Sequence, residues 1–281
     1  MLTVQAPAKL NLTLEVLGKR PDGFHEIRSV MQTISLCDSL RFQSSRELVF
    51  KSSMTDWDAQ KSLVSRAASL LQETAGCHEG ATIEVVKRIP LISGLGGDSS
   101  DAAAALRGLN ELWGLGLPPE NLLESAAHLG SDVAFFLYGG TALAEGRGEK
   151  VSPLPPLPHM WAVLTVPKIP TQPKKTAKLY ANLKDSHYTG GHITKRLGEA
   201  LQAHREIAPS LLFNTFENVA FTEFPELKVY RDHIIKLGAT HVHLAGSGPT
   251  LFTLLKERSV AEDLYIRCQQ QDMETYLAKT L

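Results

Sequence analysis

Three cysteines in 281 residues, Cys37, Cys77 and Cys268, are too few, too scattered and too odd in number for a disulfide framework or a cysteine-built zinc site. They fit a reducing compartment. Neither sign of charge is in excess: 29 lysines and arginines face 30 aspartates and glutamates, for a net charge of −1. That balance makes no electrostatic case for DNA, RNA or an anionic membrane. No apolar run approaches the roughly 20 residues of a membrane-spanning helix. Met1–Gln5 lacks the basic and apolar regions of a signal peptide. No internal repeat or low-complexity tract appears. The expectation is a cytoplasmic protein with neither nucleic acid nor membrane as partner, long enough for one large or two modest domains.

What the chain does have is glycine in the right places. Thr82–Lys87 alternates apolar and polar residues as a half-buried strand does. It leads into Pro90, Leu91, Ile92, Ser93, Gly94, Leu95, Gly96, Gly97, Asp98, Ser99 and Ser100. Alanines follow, with Leu106, Leu109 and Leu112 at helical spacing. Strand, glycine-rich turn and helix start make a phosphate cradle: glycine admits close backbone approach, and the free N–H groups of a helix N-terminus attract an anion. A P-loop is excluded because no lysine follows Gly96 or Gly97. The dinucleotide and protein-kinase patterns both fail at Ser99, where they need a third glycine. A plainer reading stays open, in which Asp98 or Ser99 caps the helix and the glycines serve only the turn.

Other segments carry candidate chemistry. Leu10, Leu12, Leu14 and Val16 alternate as a strand, which puts Lys9 and Asn11 on its opposite face. Taken alone, Lys9 reads as a solvated charge. Pro21-Asp22-Gly23 is a turn signal joining this strand to one containing Val30, Gln32 and Ile34, and Phe24-His25 follow it directly. Asp132, before the apolar run Val133–Leu137, is either a helix N-cap or a catalytic acid. A further glycine site, Gly246-Ser247-Gly248-Pro249, follows His241 and His243. Those histidines share one strand face but lack a third ligand at suitable spacing, so a structural role is expected. The proline-dense stretch Val151–His159 separates two regions and is unsuited to a helix or central strand. Beyond it the pattern predicts a strand at Trp161–Val166, an irregular stretch over 167–175, and helices over 176–183, 193–203 and 225–237. Strands around His243 and Phe252 and a last helix from Val260 complete the order.

Gly94-Leu95-Gly96-Gly97 ahead of Ser99-Ser100-Asp101-Ala102-Ala103 closely resembles the ATP loop of the GHMP kinases. Ala6-Pro7-Ala8-Lys9-Leu10-Asn11-Leu12 with Pro21-Asp22-Gly23-Phe24-His25, the stretch around Asp132, and Gly246–Pro249 resemble further motifs of that family. Phe24-His25 is a signature of its cytidine-dependent members rather than of its homoserine or mevalonate kinases. The likeness runs from Ala6 to Phe252. It implies an α+β, two-lobed GHMP kinase fold. Residues 1–152 would form an α/β ATP-binding lobe (ribosomal protein S5 domain 2-like), and 153–281 a ferredoxin-like lobe, with the site between them.

The resemblance also implies an activity. ATP with Mg2+ would phosphorylate the 2-hydroxyl of a small sugar alcohol carrying a cytidine diphosphate group, in the non-mevalonate isoprenoid precursor pathway. The loop 90–100 would hold ATP. Asp132 would be the base, with Lys9 keeping it ionised. Asn11, Phe24, His25, Thr176, Tyr180, Gly246 and Ser247 would bind substrate, with Phe24 and Tyr180 on the two faces of cytosine. The motifs name no residue as a metal ligand. Four positions depart from the family pattern: Asp98 replaces glycine and is expected to cap the helix, the alternative being that it meets a magnesium ion, Ser62 replaces an asparagine near adenine, Ala134 replaces proline, and Thr215 replaces an acid in Asn214–Glu217.

Overall fold

The computed structural model of the protein describes residues 1–54, 57–58, 61–170 and 174–281. Its contacts sort the chain into two compact units interleaved in sequence. The first comprises Met1–Ala8, Cys37–Pro90 and Gly96–Gly139, and the second Lys9–Leu36, Leu91–Leu95 and Gly140–Leu281. The sequential boundary at 152/153 therefore falls within the second unit. The cause lies in the strands flanking β2 (Thr13–Lys19): β1 (Leu2–Asn11) and the 21-residue β3 (His25–Ser45) each supply residues to both units.

In the first unit, β5 (Gly80–Val86) runs parallel to β4 (Leu48–Ser52) and antiparallel to the second half of β3, with Ser39 opposite Val86. Ile83 and Val85 are fully buried, as the alternation predicted. Four helices accompany this sheet: α1 (Leu63–Ala75), α2 (Gly97–Leu112), α3 (Pro119–Leu129) and α4 (Val133–Tyr138). Ala102–Ala105 are buried, and a Cβ at Gly108 would lie 2.5 Å from the Phe42 ring. Small residues thus let α2 lie close on β3. Ser62 caps α1, its hydroxyl accepting the Ser65 N–H at 3.1 Å. Asparagine would serve that capping role equally well.

In the second unit, β2 pairs with the first half of β3, closing the hairpin that Pro21-Asp22-Gly23 predicted, with His25 opposite Lys19. The expected continuous strand is interrupted at Leu12, so β1 and β2 are separate. Its opposite face is buried too: Lys9, Asn11, Thr13 and Glu15 are all at most 5% exposed. Lys9 is therefore not a solvated charge. β6 (Thr141–Gly146) flanks β3 on its other side and pairs with β7 (Lys150–Pro153). The proline-dense stretch thus begins as an edge strand, where Pro153 is tolerated because no further ladder needs its N–H.

A second sheet has the order β10-β11-β8-β12, antiparallel throughout, and gives this unit its ferredoxin-like character. It comprises β8 (Trp161–Val166), β10 (His243–Leu244), β11 (Leu251–Leu255) and β12 (Glu274–Lys279). The short β9 (Phe213–Asn214) lies parallel to β2. Helices α5 (Lys175–Asn182), α6 (His192–Gln202), α8 (Pro225–Lys236) and α9 (Arg258–Gln270) match the predicted ones within two residues, whereas α7 (Glu217–Glu223) was not foreseen. Val163, Phe216, Leu244, Leu251, Leu264 and Cys268 share the unit's core. Of the irregular stretch 167–175, residues 171–173 lie outside the described residues.

Candidate active site

The glycine loop is held by backbone on both sides. Leu91–Leu95 belong to the second unit, where the Leu95 carbonyl accepts the Lys9 N–H at 2.9 Å and the Ser93 carbonyl accepts the Thr250 N–H at 3.2 Å. Gly94, at φ +85°, lies so close to the next loop that a Cβ there would sit 2.2 Å from the Ala245 carbonyl oxygen. Only glycine fits this approach.

From Gly96 onward the loop belongs to the first unit, and Gly96 itself, at φ +76°, is the N-cap of α2. No side chain caps this helix. The expectation that Asp98 or Ser99 would do so is overturned, because the left-handed Gly96 starts the helix before either residue. Asp98 sits inside the first turn with a 64% exposed carboxylate, where it complements the helix dipole. The first N–H groups of α2 have no intrahelical acceptor, which leaves them for an anion.

Beneath this helix start lies an ion cluster that the sequence did not disclose. Lys87 Nζ is 2.6 Å from Asp38 Oδ2, 2.7 Å from Asp101 Oδ2 and 3.8 Å from Asp98 Oδ1. Lys87, Asp38 and Asp101 are at most 1% exposed in their side chains. Asp38 Oδ1 also accepts the N–H groups of Arg88 and Ile89, at 2.5 and 2.8 Å. Burial alone would lower the Lys87 pKa, but the charges of Asp101 and Asp38 outweigh it and hold the ammonium charged. Burial pushes the Asp101 carboxyl up, against the pull of Lys87. The cluster ties the end of β5 to the first turn of α2, fixing both ends of the loop.

Several expected residues of the second unit come together. Lys9 Nζ donates to Asn11 Oδ1 at 2.6 Å, and Asn11 Nδ2 donates to Ser29 Oγ at 2.8 Å. A Cβ at Gly246 would lie 3.4 Å from both Lys9 Nζ and Asn11 Oδ1, so the second glycine loop passes directly over this pair. That loop is fastened by Asn214, whose Nδ2 donates to the Leu244 and Gly246 carbonyls at 2.8 and 2.7 Å. Glu217 Oε1 accepts the Leu244 N–H at 2.8 Å and lies 3.3 Å from His243 Nδ1. Thr215 Oγ1 accepts the Val16 N–H at 3.0 Å. The stretch Asn214–Glu217 is thus a brace for the glycine loop, and His243 is engaged with Glu217. Thr176 and Ser247 share a hydroxyl hydrogen bond of 2.8 Å.

The aromatic residues fall into two groups. Phe24 is 53% exposed on the β2–β3 turn, with the Arg147 guanidinium 4.6 Å from its ring centroid. Tyr180 stacks on His25, with centroids 4.6 Å apart and planes 18° apart, and meets Phe216 edgewise at 4.8 Å. One face of Tyr180 is therefore taken by imidazole. Burial, then the charge of Lys19, lower the His25 pKa, so its imidazole is neutral at pH 7.

In the first unit, Asp132 stands at the N-cap position of α4, yet its side chain makes no capping bond. The residue is half-buried. Ala134, in place of proline, lies within α4 and is buried. Sequence reasoning missed Lys175, which is 8% exposed with its ammonium donating to the Gly248 carbonyl. It stood in a proline- and lysine-rich stretch that read as irregular, and no pattern there signals burial.

A two-unit α+β chain with a glycine loop opening a helix and a second braced glycine loop has the parts of a small-molecule kinase. The model of the GHMP kinases N terminal domain matches residues 62–140, and that of the GHMP kinases C terminal domain matches residues 194–271. The chain belongs to the GHMP kinase family, and like its members it uses ATP on a small-molecule substrate. It is 52% identical over 281 residues to a 4-diphosphocytidyl-2-C-methyl-D-erythritol kinase of Dehalococcoides mccartyi (strain CBDB1), covering 100% of this chain and 99% of that one. To the kinase of the same name from Geobacillus sp. (strain WCH70) it is 40% identical, covering 94% and 91%. Among solved structures, a 4-(cytidine 5'-diphospho)-2C-methyl-D-erythritol kinase superposes with a TM-score of 0.85 at 33% identity, covering 99% of each chain. A homoserine kinase from Cytophaga hutchinsonii, at 20% identity and a TM-score of 0.75 over 99% and 94%, shares the fold.

Proposed function

We propose that this chain transfers the γ-phosphoryl group of ATP to the 2-hydroxyl of 4-diphosphocytidyl-2-C-methyl-D-erythritol, in the non-mevalonate isoprenoid precursor pathway. The observation that carries the reading is the full-length similarity to kinases of that name, at 52% identity. The Phe24-His25 pair on the β2–β3 turn is consistent with a cytidine-bearing substrate.

Phosphoryl transfer is largely a matter of positioning and electrostatics, because charge spreads over the γ-phosphoryl oxygens in the transition state. In this reading the loop Pro90–Ser100 holds the triphosphate through backbone N–H groups at the start of α2. Asp132 accepts the proton of the substrate hydroxyl, and the Lys9 ammonium favours ionised forms of both the base and the developing alkoxide. Asn11 orients Lys9, as their 2.6 Å hydrogen bond supports. Magnesium takes one or two carboxylates together with phosphate oxygens. The exposed Asp98 carboxylate at the first turn of α2 is a donor of that kind, and the metal when bound offsets the triphosphate charge.

Cytosine would stack on Phe24, with neutral His25 hydrogen-bonding the base edge. Tyr180 would take the other face of the base, and its stack on His25 holds the imidazole plane. Gly246, Ser247 and Thr176 complete the substrate side. We also infer that the family's domain boundary lies near 152/153, which falls between the two matched ranges. A cytoplasmic location fits the absence, among the described residues, of a helix long and apolar enough to cross a membrane. The test is ATP consumption with the cytidylated alcohol beside methylerythritol phosphate, homoserine and mevalonate. Turnover only on one of the last three would refute the substrate assignment.

A further inference from the structure

Among the described residues, Lys175 is a buried cation with no counter-ion. Its side chain lies at the first turn of α5 in the second unit, and the residue is 8% exposed. Among the described residues no carboxylate lies within 4 Å of its ammonium, whose one acceptor is the neutral Gly248 carbonyl. An ammonium carries three donors, so two N–H groups remain uncommitted. Every other buried lysine has a different arrangement: Lys87 is neutralised by Asp38 and Asp101, and Lys9 is bonded to Asn11. Burial without compensation lowers the Lys175 pKa to about 8, a sign that the fold alone gives this charge little support.

The surroundings are those of an anion site. Lys175 borders a hollow of about 360 Å³ that is also lined by Ile92, Gly94, Thr176, Ser247 and Gly248. Gly94 and Gly248 bring backbone to its wall, and the Thr176 and Ser247 hydroxyls share a hydrogen bond of 2.8 Å that leaves one hydroxyl hydrogen to donate. No acidic residue lines it. Ile92, at φ +53° and 64% exposed, holds a left-handed conformation that β-branched residues rarely adopt, on the rim of the same hollow.

We propose that this hollow is a phosphate subsite in which Lys175, with the Thr176 and Ser247 hydroxyls, grips a phosphate-type anion of the reacting pair. This rests on the reading of the chain as a kinase of a cytidine-diphosphate-linked alcohol. Two sources share that chemistry, the diphosphate of the cytidylated substrate and the γ-phosphate of ATP. Lys175 leaves the Gly248 carbonyl, or adds to it, when the anion arrives. Where the anion is the substrate diphosphate, the site deepens the substrate assignment, since it selects for an alcohol that carries a phosphate.

The test compares the wild-type chain with Lys175→Met and Lys175→Arg, using steady-state kinetics, thermal unfolding and calorimetric binding of inorganic pyrophosphate. A charge-assisted contact is worth about a 10- to 100-fold change in affinity. Lys175→Met is expected to raise a KM by that factor, with the arginine variant recovering part of it and kcat changing far less. A rise in the KM for the cytidylated alcohol assigns the anion to the substrate diphosphate, and a rise in the KM for ATP assigns it to the nucleotide. Pyrophosphate binding should weaken in parallel, while the unfolding temperature holds or rises because an uncompensated charge has gone. Unchanged KM values with unchanged pyrophosphate binding would overturn the proposal, as would a lowered unfolding temperature with intact kinetics. If the wild type does not act on the cytidylated alcohol, the substrate reading fails by itself, and the pyrophosphate measurement still decides the subsite.

Discussion

Replacing Lys87 by methionine removes the one cation among two buried carboxylates and tests how the ATP loop is held. The ammonium lies 2.6 Å from Asp38 and 2.7 Å from Asp101, all three side chains being at most 1% exposed. Methionine fills nearly the same volume, so packing loss is small. What remains is two carboxylates in a site with no cation, and breaking a buried pair in this way costs about 3–5 kcal/mol. Protonation of one acid limits the loss, and Asp101, already raised by burial, is the first to protonate. For a chain of this size about 1 kcal/mol corresponds to roughly 2–4 °C, which puts the fall in unfolding temperature on the order of 10 °C. Calorimetry at pH 8 measures it, and the loss should shrink at pH 5 as Asp101 gains its proton. The triple variant Lys87→Met with Asp38→Asn and Asp101→Asn should recover part of the stability, since no net charge is then buried. ATP affinity should fall with Lys87→Met, because the cluster fixes both ends of the loop. A single variant as stable as the wild type at pH 8 would refute the reasoning.

Four further outcomes are expected. Asp132→Asn should lower kcat by about 10²–10⁴, the usual worth of a general base, while calorimetry shows ATP binding intact. Gly94→Ala should destabilise the fold and weaken ATP binding, because its Cβ would meet the Ala245 carbonyl at 2.2 Å in a left-handed conformation, and circular dichroism melts with nucleotide titration would show both. Phe24→Leu should raise the KM for the cytidylated substrate by roughly 5- to 100-fold with little change in kcat, from the ~1–3 kcal/mol that base stacking contributes. Burial brings the folded pKa of Lys175 to about 8 against the ordinary 10.5 of a lysine, so the unfolded chain binds more protons between those limits and wild-type stability rises as pH climbs through them. Denaturant unfolding at pH 7 and pH 10 should show Lys175→Met gaining on the order of 1–2 kcal/mol at the lower pH and less at the higher, after solvent screening is allowed for.

Much of this architecture was legible because periodicity and turn chemistry are local. The alternation of Thr82–Lys87, the leucines of α2 and the turn Pro21-Asp22-Gly23 each specify their element from a few neighbouring residues. What escaped depends on tertiary context. β7 hid in a proline-dense stretch because an edge position tolerates Pro153, which pattern alone cannot reveal. Asp98 was expected to cap α2, but Gly96 enters the left-handed region first and starts the helix earlier. The alternation around Lys9 promised one wet face, whereas a second layer of polar residues, Thr13, Glu15 and Ser29 among them, is fully buried behind it. At the candidate site, glycines and motif residues were visible in sequence because close backbone approach demands a specific residue type. Lys87, Asp38, Asp101 and Lys175 were not, because burial of a charge is decided by distant segments.

One assay decides which alcohol this kinase phosphorylates. Purified protein, ATP and magnesium are incubated with 4-diphosphocytidyl-2-C-methyl-D-erythritol or with methylerythritol phosphate, homoserine or mevalonate, and ADP release is followed for the wild type and Asp132→Asn. Release is expected only with the cytidylated alcohol, with near-complete loss in the variant. Equal release with an alcohol lacking cytidine, or full activity in Asp132→Asn, would contradict it.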